Sequence, residues 1–501
     1  MRAILFFICL ISSGGGVVAL LPAQSSPPSA EPNAQSTNAQ STDEPALPPG
    51  LDAPEKTSQG QDPPALPPGL GGAEPALPSG LGGMSPTEAG EESEQESEPW
   101  LTLTHRGFFE MRAGTWLHSN RDQRDGSAGE QRAQFGLEAI TDRWVGRLTL
   151  DLVSDSVATD HAIDLEAGDG FLDLREASLS FSPWHAIDVR AGRQVLTWGT
   201  GDLVFINDLF PKDFQSFFLG REPEYLKAPS DAVRVSAYHE LANVDLVYTP
   251  LFDPDRSIDG SRISYFSPSL NQVVGRSAVV NSDRPEEWFD DDEWAMRVYR
   301  TFSATEVALY GYFGRWKSPV GFDPARNRAI HPRLFVTGAS ARTPLGGGVG
   351  QAEFGFYDSL DDRSGTDPNV PNGQLRALAG YEREIGSDRT LGGQVYVEHR
   401  LDHSEYRQAL SGGAARGDRD RVVVTARLTQ LLLAQNLELS FFAFYSPTDQ
   451  DAYLRPKVSY AIDDHFTVEV GGSVFVGEHE STFFGQFEES SSVYAAVRFG
   501  F

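Results

Sequence analysis

Ten charged residues crowd one span of the sequence: Arg190, Arg193, Asp202, Asp208, Lys212, Asp213, Arg221, Glu222, Glu224 and Lys227. Arginine forms rigid two-pronged bonds to carboxylates, and charges of both signs acting at close range sort solutes by charge. The same span carries Leu203, Phe205, Ile206, Leu209, Phe210, Phe214, Phe217 and Phe218, more apolar surface than a loop left in water can expose. Something must bury it. Folded into the interior of a larger wall, the loop 198–230 would narrow that interior and leave its polar groups around the constriction, with Arg190 and Arg193 on the preceding strand pairing with them. The alternative is a packed plug with no passage. Pro211 is placed to open a short helix through Ser216.

Bond-making chemistry has less support. The sequence holds no nucleophile elbow, phosphate loop or zincin pattern. Asp253, Asp255 and Asp259 with Gly260 loosely suggest a calcium loop, but their spacing is wrong for an EF-hand. His399 and His403, four apart, do not share a face at a strand-to-loop edge and read as surface residues. The sequence implies no cofactor, no metal and no enzyme. The net charge of −30 argues against a nucleic-acid partner. The single cysteine, Cys9, excludes disulfides and cysteine-based metal sites.

The elements that would carry this loop are strands. No internal apolar run is long enough for a spanning helix, and from Trp100 onward the pattern has period two. The last stretch puts Val493, Ala495, Val497, Phe499 and Phe501 on one face, with Tyr494, Ala496, Arg498 and Gly500 on the other. The same split recurs: Val468 and Val470 against Glu469, Val424 and Leu428 against Arg427, Trp294 and Met296 against Arg297, Val395 and Val397 against Glu398. Charge at a bilayer midplane costs about 2–4 kcal/mol for Arg, so the charged parity faces a lumen. There the charges line a path or merely pair across strands and brace the wall.

About eighteen such strands are predicted, at 100–117, 130–140, 143–153, 170–181, 185–197, 231–239, 242–249, 292–302, 305–315, 331–342, 348–358, 373–384, 389–401, 419–431, 435–445, 451–461, 465–476 and 490–501. Short turns alternate with long polar loops, as in an up-and-down transmembrane β-barrel whose turns face the periplasm and whose loops face outward. The tryptophans fall at strand ends: Trp100, Trp144 and Trp184 at one level, and Trp116, Trp198, Trp288, Trp294 and Trp316 at the other, as two interfacial girdles require. The fold expected is an all-β, antiparallel barrel over residues 99–501.

Residues 1–23 read as a signal peptide, with Arg2, an apolar core over 3–21 and cleavage near Ala23; the alternative is an uncleaved anchor. Residues 24–98 are rich in Pro, Gly and Glu and cannot bury enough surface to order themselves. Their 13 acids and one lysine, taken together with Arg2, leave −19 for 99–501. Three Pro-Ala-Leu-Pro-[Pro/Ser]-Gly-Leu repeats place Leu47, Leu51, Leu66, Leu70, Leu77 and Leu81 where a polyproline-type ligand would dock on a periplasmic partner, or they form only a stiff spacer.

Arg175-Glu-Ala177, Gly192-Arg-Gln194, Trp198-Gly199, Asn207-Asp208 and Pro211-Lys-Asp213 resemble the core of a group of proteobacterial outer-membrane barrels akin to the alginate-export porins. The terminal aromatic strand likewise resembles the signal read by the barrel insertion machinery. The resemblance is sharp over about 175–231 and implies an eighteen-strand pore in the outer membrane of a Gram-negative cell, contacting lipid and lipopolysaccharide. It does not imply alginate as substrate, because those exporters have a strongly basic lumen. The expectation is a porin-like channel for a polar or charged solute, constricted by 198–230, with its tail in the periplasm. The rival is a structural or assembly barrel that recruits a periplasmic partner through the repeats.

Overall fold

The computed structural model describes residues 100–501, apart from 158–162, 166, 167, 169 and 411–416. The signal segment, the 24–98 tail and its six leucines lie outside the described residues. Eighteen strands form one closed sheet: β1 (Thr102–Trp116), β2 (Gly126–Ile140), β3 (Trp144–Asp155), β4 (Leu172–Trp184), β5 (Ile187–Val195), β6 (Pro229–Ala237), β7 (Asn243–Thr249), β8 (Glu293–Phe302) and β9 (Thr305–Arg315). The other half is β10 (Arg333–Leu345), β11 (Gly348–Ser359), β12 (Gln374–Glu384), β13 (Arg389–Arg400), β14 (Asp420–Leu432), β15 (Leu437–Ser446), β16 (Asp451–Ala461), β17 (Phe466–Gly477) and β18 (Ser492–Gly500). Each strand pairs antiparallel with its sequence neighbours, and β1 closes the ring on β18 from Phe108↔Gly500 to Trp116↔Ser492. Closure leaves no strand edge unpaired, which a wall in hydrocarbon requires. Among the described residues no helix is long and apolar enough to cross a membrane.

The two faces follow the period-two pattern. Phe466, Val470, Val424, Val395, Met296 and Val497 are exposed on the outside, while Glu469, Val423, Tyr396 and Tyr494 are buried inside. Phe501 continues the last seam: its N–H donates to Gly107 O (3.0 Å) and its O accepts from Gly107 N (2.9 Å). Its ring lies 5.8 Å from that of Phe135.

The short connections gather at one end. Gly346-Gly347, both with positive φ, make the two-residue turn between β10 and β11 that matches the twist of its strands. The long connections gather at the other end. One breaks the alternation: β15 and β16 are joined at that end by the tight turn 447–450. The 250–292 and 316–332 loops are not plain coil. Tyr265–Ser267 pairs with Gln272–Val274, and Ser282–Asp283, Arg328–Ile330 and Gly321–Asp323 form a three-stranded sheet.

Candidate functional site: a loop seated in the barrel

The 196–228 connection turns inward. Leu196, Leu203, Ile206, Phe210, Phe217, Phe218 and Leu226 form one apolar core with inner-face residues of the wall, among them Val336, Tyr357, Leu378, Tyr396, Phe444, Tyr453 and Phe475. Burying such side chains stabilises by about 1.5–3 kcal/mol each, so the lumen is the burial site that the composition of the loop demands. The helix is shorter and later than Pro211 suggests. It is α1 (Phe214–Phe218), capped by Asp213, whose Oδ1 accepts from Ser216 N at 2.7 Å. Phe217 and Phe218 seat this helix: the Phe218 ring lies 5.4 Å from Tyr453, 5.3 Å from Phe475 and 4.8 Å from Phe487.

Polar tethers surround the apolar seat. Arg221 pairs with Glu130 of β2. Glu130 also accepts from Arg132 at 2.9 Å, and Arg132 reaches Asp151 of β3 at 2.5 Å. Tyr225 donates to the same Asp151 at 2.8 Å, its ring lying 4.5 Å from the guanidiniums of both Arg132 and Arg175. Arg112 of β1 donates to Gly220 O at 2.9 Å, and Lys457 of β16 pairs with Glu222 at 3.4 Å. Arg256, from the 250–292 loop, bridges Asp173 (2.8 Å) and Asp213 (3.4 Å). On the opposite wall, Arg427 of β14 holds Asp202 at 2.6 Å, and Glu353 of β11 binds Thr200, Gly201 and Asn207.

This placement divides the ten residues singled out by their charge. Asp208, Lys212, Asp213 and Arg193 do not line a path. They are buried in internal pairs: Lys212 with Asp208 at 2.9 Å, Asp213 with Arg256, and Arg193 with Asp231 at 2.9 Å. A buried charge needs a partner, and these four have found theirs within the fold. Nor do Arg190 and Arg193 pair with the loop: Arg190 takes Glu176 of β4. Asp202, Arg221, Glu222 and Lys227 are half-buried and Glu224 is exposed. Burial pushes the Lys227 ammonium down from its ordinary value.

Toward the short-turn end the wall keeps both signs. Arg147 pairs with Glu138 at 2.8 Å, Arg297 with Glu306 at 2.6 Å and Arg498 with Glu110 at 2.7 Å. Arg190 and Arg234 stand directly opposite each other on β5 and β6, and each is drawn to a carboxylate, Glu176 and Asp245. A cavity of about 660 Å³ at this end is lined by Arg147, Arg190, Arg234, Asp188 and Tyr238.

Other expectations resolve differently. Trp144, Trp184 and Trp294 are exposed at strand ends, as girdles require, and Trp288 is exposed in the 250–292 loop, but Trp116, Trp198 and Trp316 pack against the inner core. Trp198 lies 4.9 Å from Phe210, and Trp316 stacks on Tyr357 at 5.7 Å. Asp253, Asp255 and Asp259 are not gathered around a common point: each accepts from its own chain donors, Ser230, Lys212 N and Ser261 respectively. His399 meets Asp420 at 2.5 Å, and His403 begins α2 (His403–Ala409). Sequence reasoning missed Glu353, Glu130, Asp151, Tyr225 and Arg256. The signal for Glu353 lay in two inward glycines beside it, Gly355 on its own strand and Gly338 opposite on β10.

The fold is that of an eighteen-stranded antiparallel barrel with an inserted loop. Solved structures with similar architecture include Acinetobacter baumannii OccAB4, with a TM-score of 0.49 and 10% identity over 82% of this chain and 100% of that one. Others are Pseudomonas aeruginosa OccD3 (OpdP), at 0.45 and 10% over 80% and 91%, and the Salmonella typhi OmpF complex with daunomycin, at 0.39 and 10% over 80% and 97%. No protein-family model matches the chain, and no curated protein matches it.

Proposed function

We propose that the chain is a channel of the Gram-negative outer membrane, passing a small polar or charged solute through a lumen narrowed by 196–228. The observation that carries this reading is the inserted loop: it occupies the long-loop half of a closed barrel and leaves a wall of half-exposed Arg and Glu on the other half. The apolar outer face supports residence in lipid, since soluble proteins rarely leave so many neighbouring large apolar side chains exposed. Under this reading the short turns and the 24–98 tail face the periplasm, and the terminal strand is read by the insertion machinery. Alginate is not proposed as the solute, because the acids in the wall match its arginines closely.

The continuous apolar packing of the loop against the wall favours one rival, a sealed barrel that serves as a scaffold for a periplasmic partner bound by the tail. Deleting 24–98 separates the two. A channel keeps its single-channel conductance, whereas a scaffold loses its partner and has no conductance to keep.

A further inference from the structure

Glu353 stands on the inner face of β11, 4% exposed, and makes no ion pair among the described residues. Its carboxylate is satisfied instead by one stretch of the inserted loop. It accepts from the backbone N–H groups of Thr200, Gly201 (2.7 Å) and Asn207 (3.3 Å), and from Asn207 Nδ2 (2.9 Å). The seat depends on two inward-facing glycines on β10 and β11. A Cβ on Gly338 would sit 1.8 Å from Asn207 Oδ1, and one on Gly355 would sit 2.7 Å from Ile206 Cγ2. Only a bare backbone lets the loop come this close.

The two limbs of the loop are held unequally. Residues 211–228 are tied by ion pairs and hydrogen bonds to β1, β2, β3, β4 and β16, and by edge-on ring contacts to β16 and β17. Polar tethers on residues 196–210 reach β10, β11 and β14, and the four bonds to Glu353 are their densest point. This limb also sits under tension. Leu203 has φ 58°, a region that side chains with a Cβ rarely adopt. Thr200 Oγ1 and Asn207 Oδ1 are buried with no hydrogen-bond partner among the described residues. Strain and unpaired polar atoms at a seat favour leaving it.

We infer that residues 196–210 form a strap across the lumen, latched by Glu353, and that its release widens the passage beside β10–β14 while 211–228 stay seated. Its effect on flow rests on the channel reading above; the motion itself does not. Gln at position 353 keeps one acceptor oxygen and turns an N–H₂ toward donors of the loop, so E353Q weakens the latch at nearly constant shape.

Cys9 is the only cysteine in the sequence, so an introduced thiol reports alone once the signal is removed. In the full mature chain in lipid, V204C is expected to react with a small water-soluble thiol reagent about tenfold faster when combined with E353Q than with Glu353 intact. In the double variant D202C/R427C, which keeps Glu353, Asn207 and Gly338 and replaces an existing loop-to-wall ion pair (2.6 Å), a short bis-thiosulfonate cross-linker should abolish any larger conductance level and its reduction should restore it. Equal labelling rates, with the same current from cross-linked and reduced protein, overturn the strap whatever that current is. Faster labelling with no current in any form keeps the strap and removes the channel.

Discussion

Replacing Phe218 with alanine separates the inserted loop from the wall that holds it. The ring is 3% exposed and meets Tyr453, Phe475 and Phe487 at centroid distances of 5.4, 5.3 and 4.8 Å. Truncating a phenylalanine in such surroundings costs about 3–5 kcal/mol, a factor of ~10² to 10³ or more in an opening equilibrium. The eighteen-strand ladder does not pass through this residue, so the loss should appear locally. Hydrogen exchange of the F218A barrel in detergent, read by mass spectrometry, should accelerate at least ~100-fold over 211–220 and stay unchanged in β8–β14. F214A is the internal comparison. That ring is half-buried with one aromatic neighbour, Phe218 at 6.4 Å, and its loss should cost about 1–2 kcal/mol. Unchanged exchange in F218A, or loss of the whole barrel with the loop, would refute the claim that aromatic packing against the wall seats α1 while the wall stands without it.

The 250–292 loop should respond to pH through Asp253. Burial first, and then the neighbouring Asp231, push its carboxyl up to about 6, against the pull of Lys317 and Arg193. Because the folded value lies above the unfolded value near 3.8, the folded chain prefers the proton. This contribution to stability is complete below the unfolded value and is lost as the pH rises through about 6, a change on the order of 3 kcal/mol. Urea midpoints for wild type should fall between pH 4 and 7 relative to those of D253N, and parallel curves would contradict the assignment. At the closing seam, F501A removes the ring beside Phe135 and Gly107 and should slow barrel closure several-fold in refolding followed by gel mobility without boiling; an unchanged rate would leave that ring without a part in assembly.

The wall was legible because period two records lipid on one side and water on the other, and no competing pattern disturbs it. Val468, Glu469 and Val470 took the faces expected, as did Val424 and Arg427. The inward course of 196–228 was legible for a related reason: eight large apolar side chains in one loop demand burial. Its register within the lumen was not. Sequence cannot distinguish an aspartate that lines a path from one that caps a helix, so Asp208 and Asp213 read alike with Asp202 and Glu224. Trp116, Trp198 and Trp316 misled for the converse reason. A tryptophan near the outer end of a strand suits the headgroup level, but an apolar plug beside it offers an equally good burial site. Glu353 was hidden because one glutamate on a charged parity looks like any other. The usable clue was Gly338 opposite Gly355 on one inner face, where strand interiors give up side chains only for a close approach.

Single-channel recording of residues 24–501 in a planar bilayer, with a salt gradient, decides whether a closed membrane barrel carries solute past the loop seated in its lumen. Discrete steps are expected, smaller than those of an unobstructed eighteen-strand pore, with weak ion selectivity because Arg and Glu are closely matched along the wall. A barrel that resists unfolding by detergent and inserts into the bilayer, yet gives no steps in wild type, E353Q or F218A, would show that no solute passes the loop.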